Sequence, residues 1–294
     1  MLKRIFIFLL VNFLVVITIT TLLSWLNVGS FVSDGGLNLY NLAIGSAIIG
    51  FTGSIISLLL SKMTAKMLLG VQVIDPRYPG EFSWLLQKVY EVAKKQGLSK
   101  MPEVGIYESP EINAFATGPS KNNSLVAFST GLLNSMNENE IEGVIAHEIA
   151  HVANGDMVTM TLIQGVVNTF VVFISRVLAW AISSRLDEGK REFVYFAVSI
   201  VLEIIFMILA SVVVFYFSRI REYRADYDAA KSVGKEKMIA ALEHLRRYFE
   251  PYDEARSLET LKIAGGKKAS LLAVLFSTHP PLEARIERLR KALV

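Results

Sequence analysis

The sequence has 294 residues, of which 52% are apolar, and its mean hydropathy is +0.44. This composition excludes an ordinary soluble domain, because so many apolar side chains need lipid as well as a protein core to cover them. The net charge of +3 does not indicate nucleic-acid binding. The lack of cysteine excludes disulfides and leaves His, Asp and Glu as the available metal ligands.

The first 60 residues predict a transmembrane hairpin. An apolar run of about 22 residues starts at Ile5, directly after Lys3 and Arg4, and is long enough to span a bilayer. It is longer than the apolar region of a signal peptide and lacks a small-residue cleavage site, so an uncleaved anchor is favoured. Residues 37–60 predict a second span with small residues suited to close packing. Basic residues flank the hairpin but are missing from its loop, which places both ends in the cytoplasm.

Residues 61–156 read as the first part of a soluble domain. The sequence predicts an amphipathic helix at 81–96, ended by Gly97, and short strands at 104–107 and 124–128. Between the strands lies the stretch Asn113-Ala114-Phe115-Ala116-Thr117-Gly118. An ordinary hairpin strand is the favoured interpretation of this stretch. The alternative is an exposed edge strand that pairs with extended peptides.

The stretch from His147 to His151 reads H-E-x-x-H within a predicted helix at 138–153. Asn137 and Glu140 form an N-x-x-E capping pattern, and Gly155 supplies a stop. The two histidines then share one helix face and can bind one zinc ion, while Glu148 beside them can activate a water molecule. A buried amphipathic helix that carries two histidines by chance is disfavoured, because the chain has only four.

Residues 157–217 predict a second hydrophobic hairpin with a charge in each arm. At 1.5 Å per residue, the depths of Arg176 and Glu203 differ by only about 5 Å. We expect them to pair, since an unpaired charge inside a bilayer is costly. The alternative is that these segments are partly buried in protein or water.

Residues 218–294 predict a second soluble part with helices at 218–233, 235–248 and 282–293. Glu222 and Asp226 lie four apart, so we assign Glu222 as the third metal ligand and Asp226 as the acceptor of a ligand histidine's N–H. The alternative is a solvated helix whose arginines pair with these acids. His279 either stabilises an oxyanion or caps the last helix, and His244 is predicted to lie on the surface.

Two crossings separate His151 from Glu222, so both lie on the same side of the membrane. Together with the charge pattern of the first hairpin, this predicts a multi-pass protein of the cytoplasmic (inner) membrane with its site on the cytoplasmic face.

H-E-x-x-H followed by E-x-x-x-D resembles the gluzincin metallopeptidases. Over nearly its full length the chain resembles the HtpX family of bacterial membrane-bound zinc endopeptidases, which are related to the CAAX prenyl proteases. The resemblance rests on the two hydrophobic pairs, residues 113–118, 147–156 and 218–226, and His279-Pro280-Pro281. It implies one zinc ion per chain on His147, His151 and Glu222, with Glu148 catalytic. It also implies a stress-response role in membrane-protein quality control, with FtsH as a functional partner.

The expected fold class is membrane α+β. A mainly helical zincin-type domain with a small β-sheet would be formed by residues 61–156 and 218–294, and four hydrophobic helices would lie in two hairpins at 1–60 and 157–217. Polypeptides, especially membrane proteins, are the expected substrates.

Two alternative functions stay open at this point. One is a CAAX-type prenyl-protein protease, and the other is an inactive membrane adaptor that uses zinc structurally. Structural zinc sites usually have four protein ligands, so three ligands with an adjacent carboxylate favour catalysis.

Overall fold

The computed structural model describes residues 2–26, 28–33, 36–264 and 279–293. The chain divides into two compact units. The apolar unit comprises Met1–Leu58 with Thr159–Val214, and the sheet unit comprises Leu59–Val158 with Phe215–Val294.

Long helices supply most of the apolar unit, together with a short antiparallel hairpin of two-residue strands. Their bounds, including the parts that continue beyond the unit, are α1 Leu2–Trp25, β1 Val32–Ser33, β2 Gly36–Leu37, α2 Leu39–Leu68, α6 Asp156–Ser183 and α7 Glu188–Val233. The helices α2, α6 and α7 are long and apolar enough to cross a membrane.

The prediction of four hydrophobic helices is therefore matched in part. The side chains of residues 1–12 lie outside the described part of the chain, so the first predicted span is described only over Phe13–Trp25, which is shorter than a full span.

Close packing of α2 on α6 explains the small residues noted in the sequence. A Cβ added to Gly50 would lie 2.5 Å from the backbone nitrogen of Thr169, and one added to Gly165 would lie 2.5 Å from the Phe51 ring. Both distances are too short for any larger residue, so glycine at these positions lets the two helices approach each other.

The sheet unit contains a four-stranded mixed sheet and the remaining helices. Their bounds are β3 Gln72–Val73, α3 Ser83–Lys95, β4 Glu103–Tyr107, β5 Ala114–Ser120, β6 Asn123–Ser129, α4 Thr130–Ser135, α5 Glu138–Asn154, α8 Lys235–Ala264 and α9 Leu282–Lys291. A single 3₁₀ turn at Gly80–Phe82 precedes α3, where the sequence predicted helix from residue 81.

The strand order is β3-β4-β6-β5, with β4 parallel to β6 and the other pairs antiparallel. β5 is thus a hairpin partner of β6, as favoured from the sequence, and it is also an edge strand of the sheet. The main hydrophobic core fills the space where α3, α5 and α8 pack around β4 and β6, with Leu85, Val126, Phe128, Ile145 and Leu242 fully or almost fully buried.

Two predicted helix boundaries are wrong. The polar stretch from Ser218 does not start a new helix, because α7 runs without a break from Glu188 to Val233. The change from apolar to polar side chains means that the helix passes from one environment to another, but its backbone hydrogen bonds continue. Likewise α8 does not stop at Pro251 but continues to Ala264, although proline lacks the N–H that would donate to the carbonyl four residues before it.

Candidate metal centre

α5 places His147 and His151 on one face, one turn apart. The Asn137 side chain accepts hydrogen bonds from the backbone of residues 139 and 140, and the Glu140 carboxylate accepts one from the Asn137 N–H. At the other end Gly155 adopts a left-handed φ of 69° and closes the helix. Both imidazoles are buried, and their Nε2 atoms lie 3.1 Å apart.

Glu222 reaches the same point from α7. Its Oε2 lies 3.4 Å from His147 Nε2, and its Oε1 lies 3.3 Å from His151 Nε2. One ligand atom from each of the three residues lies within 4.8 Å of the others, and Glu222 is 2% exposed. The three residues proposed from the sequence as ligands therefore converge at one buried point.

A carboxylate lies behind each imidazole. Asp226 Oδ1 lies 3.0 Å from His147 Nδ1, and Asp156 Oδ2 lies 2.6 Å from His151 Nδ1. An ionised carboxylate only accepts hydrogen bonds, so each Nδ1 carries a proton, and Nε2 is the nitrogen that is available to a metal once it has lost its own proton. Asp226 was proposed for this position from the sequence, whereas Asp156 was noted only as part of a motif. The left-handed Gly155 turns the chain so that Asp156 reaches back to the helix it follows.

Arg285 is a member of the site that sequence reasoning missed. Its Nε and Nη2 form two hydrogen bonds with the Asp226 carboxylate, at 2.7 and 2.6 Å, and its Nη1 lies 3.4 Å from Glu222 Oε2. Arg285 is 6% exposed although it lies in the apolar stripe of α9 beside Ile286 and Leu289. A charged residue at a core-facing position of a helix was the available signal.

The electrostatics of the site favour a bound cation. Burial alone lowers the pKa of His147, but the Asp226 and Glu222 carboxylates outweigh it and raise that pKa to about 10. Burial also lowers the pKa of His151, and Asp156 and Glu222 raise it above its ordinary value. Glu222 and Asp226 are shifted the other way: burial raises the pKa of each, but their bonds to the histidines and to Arg285 bring it below the usual range.

The donor chemistry fits a metal ion. Both imidazole Nε2 atoms and a carboxylate oxygen face one place, which favours a positive charge supplied either by protons on the rings or by a metal ion. A divalent metal accepts all three, while the carboxylates behind the rings keep each imidazole in the tautomer that coordination needs.

A cavity of about 340 Å³ opens beside this cluster. Asn113 lines it at the start of β5, Glu148 lines it from α5, and apolar side chains of α8 form much of the opposite wall. His279 lies at its margin with 63% of its side chain exposed and its Nδ1 3.0 Å from Glu222 Oε2. The cavity is thus lined by five of the residues named from the sequence, and the other two, His151 and Asp226, contact His147. The five are Asn113, His147, Glu148, Glu222 and His279.

His244 does not lie free on the surface as predicted. Its Nδ1 contacts the Glu140 carboxylate at 3.0 Å, and about a fifth of its side chain is exposed. This contact connects α8 to the first turn of α5.

Comparison with known proteins decides the family. The model of peptidase family M48 matches residues 79–293. The chain belongs to peptidase family M48.

Several relatives with curated names match this chain over 98% of its length. The chain is 53% identical to a protein named "Protease HtpX homolog" from Bacillus licheniformis over 98% of both chains. It is 50% identical to the protein of that name from Bacillus subtilis, over 98% of this chain and 99% of the relative, and 52% identical to one from Neisseria meningitidis over the same shares.

The fold also resembles a solved structure, that of Ste24p from S. mikatae. The TM-score is 0.66 at 18% identity, and the match covers 98% of this chain and 64% of that one. The chain thus spans 64% of the length of Ste24p, and the likeness concerns the fold. Together with the helices long enough to cross a membrane, these matches identify the chain as a membrane metalloprotease. The fold confirms the predicted membrane α+β class.

Proposed function

We propose that the chain is a zinc-dependent endopeptidase that cleaves misfolded or damaged membrane proteins, as part of quality control under stress. The observation that carries this proposal is the convergence of His147, His151 and Glu222 beside Glu148 at the wall of one cavity. Two imidazole nitrogens and one carboxylate are a common ligand set of catalytic zinc sites, which keep a fourth position open.

The residues of the chain divide the chemical work. Bound zinc would polarise the scissile carbonyl and lower the pKa of a water molecule. The Glu148 carboxylate takes a proton from the attacking water and later delivers it to the leaving amine. Asp226 and Asp156 hold the two imidazoles in place through their Nδ1 protons, and Arg285 holds Asp226.

His279 and Asn113 belong to the substrate side of the site in this proposal. The His279 imidazole lies beside Glu222 at the mouth of the cavity, where it can donate a hydrogen bond to an oxyanion. Asn113 lies where edge strand β5 begins, next to backbone groups that an extended substrate can reach.

The proposed location is the bacterial cytoplasmic membrane, with the site on the cytoplasmic side. The support is the charge pattern of the first hairpin, which has basic residues outside it and none in its loop. A role alongside FtsH in the same membrane follows from the family resemblance and is part of the proposal.

The test is proteolysis of casein by the full chain purified in detergent, with and without added zinc. Glu148→Gln should keep one zinc ion per chain and lose about 10²- to 10⁴-fold in rate, because it removes the base and leaves the ligands. Cleavage by Glu148→Gln at the wild-type rate would refute the assignment. If the wild type binds one zinc ion per chain but shows no cleavage that a chelator inhibits, the result would support a structural zinc site.

The same preparation separates the prenyl-protease alternative. Farnesylated and unmodified peptides of one sequence should be cleaved at similar rates by an endopeptidase that acts on misfolded proteins. A requirement for the farnesyl group would favour the CAAX-type activity instead.

A further inference from the structure

A polar face runs along α7 inside the apolar unit, and the proposed function leaves it unexplained. Tyr195, Ser199 and Glu203 are spaced four residues apart, so they share one side of the helix. From α6, Arg176 meets this side with its Nη2 3.5 Å from Glu203 Oε1. We call these four residues the polar face.

Hydrogen-bonding capacity is left over at the polar face. Within the described chain, Arg176 Nε, Glu203 Oε1 and the Tyr195 hydroxyl are buried and form no hydrogen bond, and the same holds for the hydroxyl of Ser175 on α6. Ser46 on α2 has an unpartnered buried hydroxyl too. The ion pair therefore leaves one buried atom of each member without a hydrogen bond, and only the exposed parts of the two side chains can meet another molecule.

Part of the polar face is also uncovered. About a quarter of the surface of each charged side chain is exposed, 26% for Arg176 and 27% for Glu203. Around them on α7, Ile200 is 43% and Ile204 55% exposed, as expected of residues that face lipid. Lipid tails offer no donor or acceptor, so an exposed ion pair in this position is costly until another polar group reaches it.

Arg176 is held in place for such a contact. Its guanidinium lies 5.7 Å from the centre of the Phe31 ring, a distance at which a cation is attracted to an aromatic face. Gly45 makes room for the same ring, since a Cβ there would lie 2.5 Å from it.

A second polar pair lies in α6 and carries no charge. Gln164 donates a hydrogen bond to Asn168 at 2.8 Å, one turn along the same helix. This pair supplies a control, because it places polar side chains in the same helix as Arg176 without an ion pair.

We propose that the polar face recognises transmembrane segments of client proteins that carry an uncovered polar side chain. Membrane proteins that are correctly assembled hide such residues between their own helices, whereas misassembled ones expose them to lipid. Binding by the polar face would then select the clients that need removal. This inference deepens the proposed function and rests on it.

The test compares two single-span substrates in lipid vesicles with the full chain loaded with zinc. The span of one substrate consists of leucine only, and the span of the other has a single central asparagine among leucines. Both substrates carry the same casein-derived tail. The wild type should cleave the asparagine substrate about 3- to 20-fold faster, the range expected for one hydrogen bond between helices in a membrane. Each rate is divided by the casein rate of the same preparation, so the ratio reports recognition and not the amount of folded enzyme.

The double variant Arg176→Leu/Glu203→Leu should bring the ratio to about one. It removes both charges together, so neither is left unpaired in the span. The control variant Gln164→Leu/Asn168→Leu should keep the wild-type ratio. The inference would be overturned if the wild type gave a ratio of one, or if the Arg176/Glu203 double variant kept the wild-type ratio. Failure of the wild type to cleave casein would instead overturn the proposed function.

Cross-linking identifies the occupant directly, because the chain has no cysteine of its own. Ile200→Cys places a single thiol beside the polar face, and the substrates carry one cysteine next to the central residue. Disulfide adducts with the asparagine substrate in excess over the leucine substrate are expected. Adducts between two copies of the chain in place of the substrate adducts would show that the polar face is a dimer contact and would contradict the proposal.

Discussion

The metal centre and the polar face both hold charged side chains out of water, but they satisfy them to very different degrees. At the metal centre each histidine has a carboxylate behind it, and Arg285 forms two hydrogen bonds with Asp226. At the polar face the single ion pair has a separation of 3.5 Å and leaves buried atoms without hydrogen bonds. The network behind the metal ligands fixes their geometry, as coordination requires, and it leaves the buried Glu222 Oε2 without a hydrogen bond where a metal would bind. The ion pair of the polar face has no such network behind it, and about a quarter of each charged side chain is exposed to a partner.

The largest effect should come from breaking the ligand set of the metal centre. Glu222→Gln keeps the shape of the side chain but removes the charge that faces both imidazoles, so we expect loss of bound metal and of proteolysis. Metal content of the purified protein, measured by atomic emission, checks this. Glu236→Gln changes an exposed carboxylate on α8 and should behave as wild type. Full metal content in Glu222→Gln would remove Glu222 from the ligands.

A smaller effect should follow from disconnecting the network behind the ligands. Arg285→Leu frees the Asp226 carboxylate that holds His147, so the zinc dissociation constant should rise about 10- to 100-fold. Arg285→Lys should not restore the affinity, because an ammonium lacks the planar pair of donors.

Arg288→Leu is the matched control for this prediction. Arg288 lies on the same helix, but its guanidinium is exposed and lies 4.6 Å from the Tyr223 ring centre. Competition with a zinc chelator measures all three variants. Equal affinities for Arg285→Leu and Arg288→Leu would argue against a positioning role for Arg285.

Unpairing the polar face should reduce accumulation of the protein in the membrane several-fold. Arg176→Leu leaves Glu203 without its cation in the span, and an uncompensated charge there disfavours insertion and folding. Adding Glu203→Leu should restore the amount of protein in isolated membranes, measured by immunoblot. Absence of rescue would show that the two side chains do not act as a pair.

A pH dependence of the metal-stripped protein is also expected. The pKa of His147 is raised to about 10 in the fold, against about 6.5 when unfolded. A raised pKa stabilises the fold fully below about pH 6.5, and this contribution is lost as the pH rises towards 10. The melting temperature of chelator-treated Glu148→Gln protein should therefore fall across this interval.

Zinc should reverse this trend, because it binds imidazoles that have lost the Nε2 proton. The increase in melting temperature on adding zinc should grow with pH over the same interval. A zinc effect that does not vary with pH would show that no proton is displaced from the histidines.

Much of the metal centre could be predicted from the sequence because its signals are local. The bounds of α5 follow from the Asn137 and Glu140 capping pattern and from Gly155, and the four-residue spacing of His147 and His151 determines that they share a face. The pairing of Arg176 with Glu203 was predictable for another reason. The two charges lie at a similar depth in an apolar environment, which offers each of them few other partners.

Other features depend on contacts between residues far apart in the chain, which spacing does not reveal. The clamp of Arg285 on Asp226 joins positions 59 residues apart, and the contact of His244 with Glu140 joins two helices. The unbroken course of α7 also escaped prediction, because the composition change at Ser218 reflects surroundings and not a break in the backbone. Hydrogen bonds and periodicity within a helix are thus encoded in neighbouring residues, whereas the position of the buried Arg285 and the 3.5 Å separation of Arg176 from Glu203 follow from how the helices pack.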